Sequence, residues 1–397
     1  MKNFFLYDPK LLLYGFLIIF FASYGQTFFI SLFNIEIRNQ YNLTDGQFGL
    51  VYAIATTLSS LLLVVFAKLI DHIDLRLYSF IVSAGIFLAC LGMFFFIENI
   101  LFLFLIIFAL RFFGQGAMSH AGETTMARYF GKNRGKAISI ATLGGMSGVM
   151  FLPIIVINLT NTYTINQVWL MASITIVFFI PLLFITLSNQ SSRHINFKKK
   201  IVSDPLNKKW RTRDVLKNTK FYIYLPLSIT PSFISTGLMF HQIFIFNQKG
   251  WSMEMLGNGY LLVGFFSIIG LLIGGPIIDK FDTRKTILTA LLPLFVCIII
   301  LLFFNNYLFF IIYMIFYGLN FGITIPFIGA LWAEIYGVES LGSVKALLHA
   351  GGVLASALSP LIFGYLIDWG FGIFAIVYIS AFIIIFSTLL PLYNNLP

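Results

Sequence analysis

Apolar runs long enough to cross a bilayer follow one another along nearly the whole chain, separated by short polar breaks. A helix of about 20 residues spans the hydrocarbon core, and windows of that size place runs at 11–34, 46–70, 77–97, 100–126, 136–158 and 166–188. A polar, basic stretch at 189–219 interrupts the series. Six more runs follow at 220–247, 254–278, 286–304, 307–333, 344–367 and 371–393. The pattern predicts an all-α integral membrane protein with twelve transmembrane helices, here spans 1 to 12. Two six-helix halves, 1–188 and 220–397, are joined by the linker 189–219.

Composition agrees, since 59% of positions are hydrophobic and 10% charged, against about 25% charged in soluble domains. Cys90 and Cys297 both fall inside apolar runs, so neither a disulfide framework nor a thiolate metal site is expected. The run from Leu11 is long enough to remain as a span, so no cleaved leader is expected.

The net charge of +10 changes the picture only once its distribution is seen. With both ends cytoplasmic, 22 of the 25 basic residues fall on inner segments, ten of them between Arg193 and Lys220. Arg38 and Lys249 fall outside. This bias fixes the expected orientation in a cell (inner) membrane. The basic linker, from His194 through Lys198, Lys199 and Lys200 to Arg213, reads as a segment attracted to anionic lipid, and no nucleic acid is expected.

The remaining basic residue is Arg111, within span 4. A charge at that depth is expensive and marks a functional site by default. At 100° per residue, Gly114, Gln115, Met118, Gly122 and Thr125 share its face, whereas His120 points away.

The halves repeat. Residues 67–76 read AKLIDHIDLR and 275–284 read GPIIDKFDTR, an offset of 208 that also pairs Gly49 with Gly257 and Tyr52 with Tyr260. A duplicated unit implies a binding site between the halves near the midplane. The chain thereby resembles the major facilitator superfamily of secondary transporters, whose G-x-x-x-D-[RK]-x-G-x-R-[RK] motif follows span 2 and recurs more weakly after span 8. Gly275, Asp279, Lys280, Arg284 and Lys285 match the second copy, with Asp282 in place of a glycine. The first copy keeps Asp71 and Arg76. The resemblance implies that fold over essentially the whole chain, and a cavity lined by spans 1, 4, 7 and 10. Asp71, Arg76, Asp279 and Arg284 are the candidates for a cytoplasmic gate that pairs in one state and parts in another; the bland alternative is loop charges that only set topology.

Polar faces on those four spans supply candidate substrate contacts. Span 1 offers Ser23, Tyr24, Thr27, Ser31 and Asn34, and span 7 offers Ser228, Ser232, Ser235 and Gln242. In span 10, Tyr313, Tyr317, Asn320 and Thr324 form one stripe, and at the offset of 206 that holds later in each half Tyr317 is the repeat counterpart of Arg111. Such hydroxyls serve equally as helix-packing contacts. The substrate-binding set is thus Arg111, Gln115, Tyr24, Thr27, Ser232, Tyr313, Tyr317 and Asn320. Small residues at Ala141, Gly144, Gly145 and Gly148, at Gly270, Gly274 and Gly275, and at Gly351, Gly352, Ala355 and Ser356 are expected to serve sliding contacts between halves.

Other ionisable groups within spans are coupling candidates. Glu123 reads either as a partner of Arg128 or Arg134 or as a proton relay, and His241 and His349 either titrate in the cycle or are held by hydrogen bonds. A guanidinium suits a carboxylate, whose two oxygens match its fork of donors. The leading expectation is alternating-access transport of a small organic anion, with protons as the coupling ion, by a monomer. Span 4 most resembles the oxalate/formate and monocarboxylate porter branch. An exporter of amphipathic compounds is the alternative, and a non-transporting receptor the alternative of another class. No HExxH, GxSxG or GxxxxGK[ST] arrangement occurs, so neither an enzyme nor an ATP-driven pump is expected, and no cofactor or metal.

Overall fold

The computed structural model describes residues 7–95, 97–191, 193, 212–280, 289–337 and 341–393. Among them the regular elements are helices, and ten are long and apolar enough to span a membrane. An eleventh span is a bent pair, Pro9–Gly25 and Thr27–Tyr41, with 45° between its parts. The shorter apolar helix Leu292–Phe303 takes the ninth place in the order. Twelve helices in an all-α membrane fold result.

Local chemistry sets where helices begin. Pro9 opens span 1 at a position where its missing N–H costs nothing, and the Asp8 carboxylate accepts from the Leu11 amide at 3.1 Å. Thr164 and Gln167 form a reciprocal capping box at the start of span 6, Ile165–Thr186. Asn306 caps span 10, Tyr307–Tyr336, through the Phe309 amide. Large apolar side chains such as Leu61, Val65, Phe178, Leu272 and Phe382 stay exposed, as surfaces that face lipid do.

The chain divides into two compact units, Met1–Tyr41 with Ile54–Pro205, and Asn42–Ala53 with Leu206–Pro397. The helix Asp45–Phe66 therefore starts in the second unit and ends in the first. Within the first unit, span 1 packs most extensively on span 5, Arg134–Thr160, and span 3, Leu75–Phe95, on span 6. Within the second, span 7, Thr219–Phe240, packs on span 11, Leu341–Asp368, and span 9 on span 12, Gly372–Tyr393. These are equivalent pairs under the repeat, so the duplication extends from motif to packing.

Several of the small residues expected to serve contacts between halves seat helices inside their own unit. A Cβ on Gly144 would lie 2.0 Å from the Phe16 carbonyl oxygen of span 1, and one on Gly148 2.0 Å from Ser23 Oγ. A Cβ on Gly270 of span 8, Met253–Lys280, would lie 3.0 Å from the Leu319 carbonyl oxygen and 3.1 Å from Gly322 Cα of span 10. Close backbone approach is the reason, because between apolar helices in lipid it is van der Waals contact that holds.

Candidate functional site

In the first unit the site is built where two helices depart from α geometry together. Span 1 tightens into a 3₁₀ turn at Ala22–Gly25, and Gln26 is extended, with φ −82° and ψ 153°. Span 4 is wound as a π-helix over Leu110–Met118, between α-helical Ile100–Ala109 and Ser119–Tyr129. The irregular stretches touch through glycines: a Cβ on Gly25 would sit 2.0 Å from the Leu110 carbonyl oxygen, and one on Gly114 2.7 Å from Gly25 Cα. Such insertions cluster at functional sites because they re-aim side chains and free backbone groups.

Arg111 is re-aimed in this way. It is 1% exposed, and Nη1 donates to the Gly25 carbonyl at 2.9 Å and to Thr27 Oγ1 at 3.5 Å, while Nε donates to Thr56 Oγ1 at 3.1 Å. The helix break turns out a carbonyl that the guanidinium then holds. Hydrogen bonds to a charged group contribute about 1.5–3 kcal/mol each, against an insertion cost of about 2.5–3.5 kcal/mol for a mid-membrane arginine, so the three bonds make the position tolerable. These three oxygens are neutral.

The structure redistributes the other candidates of this unit. Thr27 joins Arg111, but the Tyr24 hydroxyl pairs with Thr175 of span 6 at 2.7 Å. Gln115 is half-buried beside the break, whereas Met118 is fully buried and Gly122 packs against Ile19 of span 1. The Arg111 face of span 4 is thus a packed seam against span 1, not a stripe open to a cavity. Nine residues of this seam follow the wider π winding. Glu123 is exposed, and half-buried His120 contacts Thr124.

At the span 2 motif, Asp71 pairs with Arg128, which also donates to the Ile70 carbonyl at 3.2 Å. Arg76 grips Asp74 through two bonds, at 3.0 and 3.1 Å, and reaches Ser191. Both pairs lie inside the first unit. The Asp279 side chain, Arg284 and the linker from His194 to Arg211 lie outside the described residues.

In the second unit span 10 is bolted to span 7. The Tyr317 hydroxyl donates to the Ser235 carbonyl at 2.8 Å, and Asn320 Nδ2 to Ser235 Oγ at 3.1 Å. Tyr313 stacks on Tyr317 at 5.6 Å. Ser232 is half-buried, and His349 is exposed near the start of span 11. Arg111 and Tyr317, equivalent under the repeat, thus do the same thing: each reaches from span 4 or 10 to a backbone carbonyl of span 1 or 7. Tyr317→Phe removes one neutral hydrogen bond worth about 1 kcal/mol. It should lower the apparent Tm by a few degrees in a thermal-unfolding assay and leave the protein monodisperse.

Sequence reasoning missed Gly25 and Thr56. Gly25 is one of the small residues flanking a glutamine in an apolar run, a signal that was available; Thr56 carries none beyond its polarity. It also missed Asp45, which lies 3.4 Å from His241.

Together these features define a polytopic helical membrane protein of the transporter type, built from duplicated units with a polar centre in each. Residues 15–271 and 232–395 match the Major Facilitator Superfamily, and the chain belongs to that family. Its sequence is 30% identical over 195 residues to the inner membrane transport protein YdiM of Escherichia coli (strain K12), a match covering 45% of this chain and 47% of that protein. The chain thus spans about half the length of the curated relative it matches. Among solved structures it is similar to a bacterial homolog of the human lysosomal transporter Spinster. The inward-facing, unoccupied form aligns with a TM-score of 0.67 at 15% identity over 99% of this chain and 95% of that one. The inward-facing, occupied form gives 0.64 at 16%, over 100% and 97%. At these identities the likeness is one of fold.

Proposed function

We propose that the protein is an alternating-access secondary transporter of a small organic anion, acting as a monomer in the inner membrane with both termini cytoplasmic, and driven by protons. The observation that carries this reading is Arg111, a buried mid-span charge held by three neutral oxygens at a break in span 1. A carboxylate is the natural ligand for such a group, because it matches the guanidinium fork and supplies the opposite charge. In the substrate-engaged state the Gly25 carbonyl yields its place on Nη1 to a carboxylate oxygen, so binding and the shape of span 1 change together. Gln115 and Thr27 complete the contact. The resemblance of span 4 to the oxalate/formate and monocarboxylate porters supports the same cargo class.

The test is uptake of labelled small carboxylates into proteoliposomes under an imposed pH gradient. Accumulation that follows an acidic exterior is expected. Ligand binding with no movement across the bilayer would point to a receptor, and vesicles that move only amphipathic neutral or cationic compounds would point to the exporter; either result overturns the proposal.

A further inference from the structure

The strongest buried polar arrangement outside the Arg111 site lies where span 7 ends. His241 follows Phe240, is 1% exposed, and separates Thr219–Phe240 from the short helix Gln242–Lys249. Its Nε2 lies 2.9 Å from the Pro360 carbonyl of span 11. A carbonyl oxygen only accepts, so Nε2 must carry a proton. In a neutral ring the other nitrogen, Nδ1, is then a bare lone pair. That nitrogen is buried without a hydrogen-bond partner of its own and stands 3.4 Å from Asp45 Oδ1. Two acceptors at that distance with no water between them repel, unless a further proton sits on one of them.

A second carboxylate stands beside the first. Asp368, at the end of span 11, accepts from the amides of Asp45 and Gly46 at 3.1 and 2.9 Å. The other ionisable groups near the ring are phenols or are turned away. Tyr365 packs against Gly46. Tyr52 lies against Phe240, and Tyr260 donates to Gln242 at 2.5 Å. Lys249, two turns along, donates to the Leu301 carbonyl at 2.8 Å, and burial holds its ammonium below the ordinary lysine range.

We propose that His241 Nδ1 and Asp45 Oδ1 form a proton-binding site, and that the proton held there fastens Asn42–Ala53, the start of span 2, into the second unit. The backbone contact under this site has no slack. A Cβ on Gly49 would come 2.6 Å from the same Pro360 carbonyl that His241 engages, and one on Gly364 2.6 Å from the Asp45 carbonyl oxygen. With the proton present, imidazolium and carboxylate attract and the segment stays seated. Once it leaves, two acceptors face each other in a buried site and the segment is released. All three side chains lie at span ends that the distribution of basic residues assigns to the outer face.

The experiment is amide hydrogen exchange of the 42–53 segment in the full-length protein in lipid nanodiscs, corrected for intrinsic exchange, between pH 5.5 and 8.5. No substrate is used, so the outcome is independent of the identity of the cargo. One linked proton changes an equilibrium by at most about tenfold per pH unit, and the wild type is expected to lose about tenfold or more of its protection across the range. His241→Gln should flatten that dependence. Asp45→Asn should keep the segment protected at every pH, because its amide can donate to the unprotonated Nδ1. Wild-type protection that is flat with pH, a pH dependence that survives His241→Gln, or an Asp45→Asn profile that follows the wild type would each overturn the proposal.

Discussion

Gly25→Ala is expected to destabilise the first unit more than any other single-methyl change near the site. The added carbon would lie 2.0 Å from the Leu110 carbonyl oxygen and 2.8 Å from Gly114 Cα, both backbone atoms that no side-chain rotation can move aside. Overpacking typically costs about 1–3 kcal/mol, and a clash with backbone on both sides belongs at the top of that range. At roughly 2–4 °C per kcal/mol the apparent Tm should fall by about 6 °C or more, read by tryptophan fluorescence, with loss of the monodisperse peak on size exclusion. An unchanged Tm would mean that the break in span 1 and the π segment of span 4 do not hold each other.

Arg111→Gln should separate folding from transport. Glutamine keeps an N–H donor for the Gly25 carbonyl, so the pin at the helix break is partly preserved and the mid-membrane charge is removed. If two charge-assisted bonds of about 1.5–3 kcal/mol each engage the substrate carboxylate, uptake should fall at least about 100-fold with little change in Tm. Arg111→Lys keeps the charge but loses the bidentate fork, and should lie between the two. Equal uptake by Arg111→Gln and the wild type would leave Arg111 as a structural pin alone.

Much of the architecture was legible because it depends on patterns that the chain repeats. Apolar windows gave the spans, and the AKLIDHIDLR and GPIIDKFDTR copies revealed the duplication that reappears as equivalent helix pairs. Arg111 stood out because a charge in an apolar run has no cheap explanation. What it touches was not legible. The break at Gln26 carries no proline, and the π winding of Leu110–Met118 leaves no mark in composition, so nothing in the chain showed that the Arg111 face, with Met118 and Gly122, is packed.

Tertiary pairing was the other barrier. Asp71 meets Arg128, 57 residues on, in preference to the neighbouring Arg76 of its own motif. His241 was singled out for its chemistry. Asp45, by contrast, reads as an ordinary acidic residue in the first turn of a helix, and its placement in the second unit depends on the close seating of Gly46 and Gly49 against span 11. Packing decides such contacts, and packing is settled only when both helices are in place.

The central claim, that Arg111 selects an anionic cargo, is tested most directly by comparing uptake of a labelled carboxylate with uptake of its neutral amide, in proteoliposomes of wild type and of Arg111→Gln. The account predicts that the wild type strongly prefers the acid and that Arg111→Gln abolishes this preference. Equal uptake of acid and amide by the wild type, or the same proportional loss of both in the variant, would contradict it.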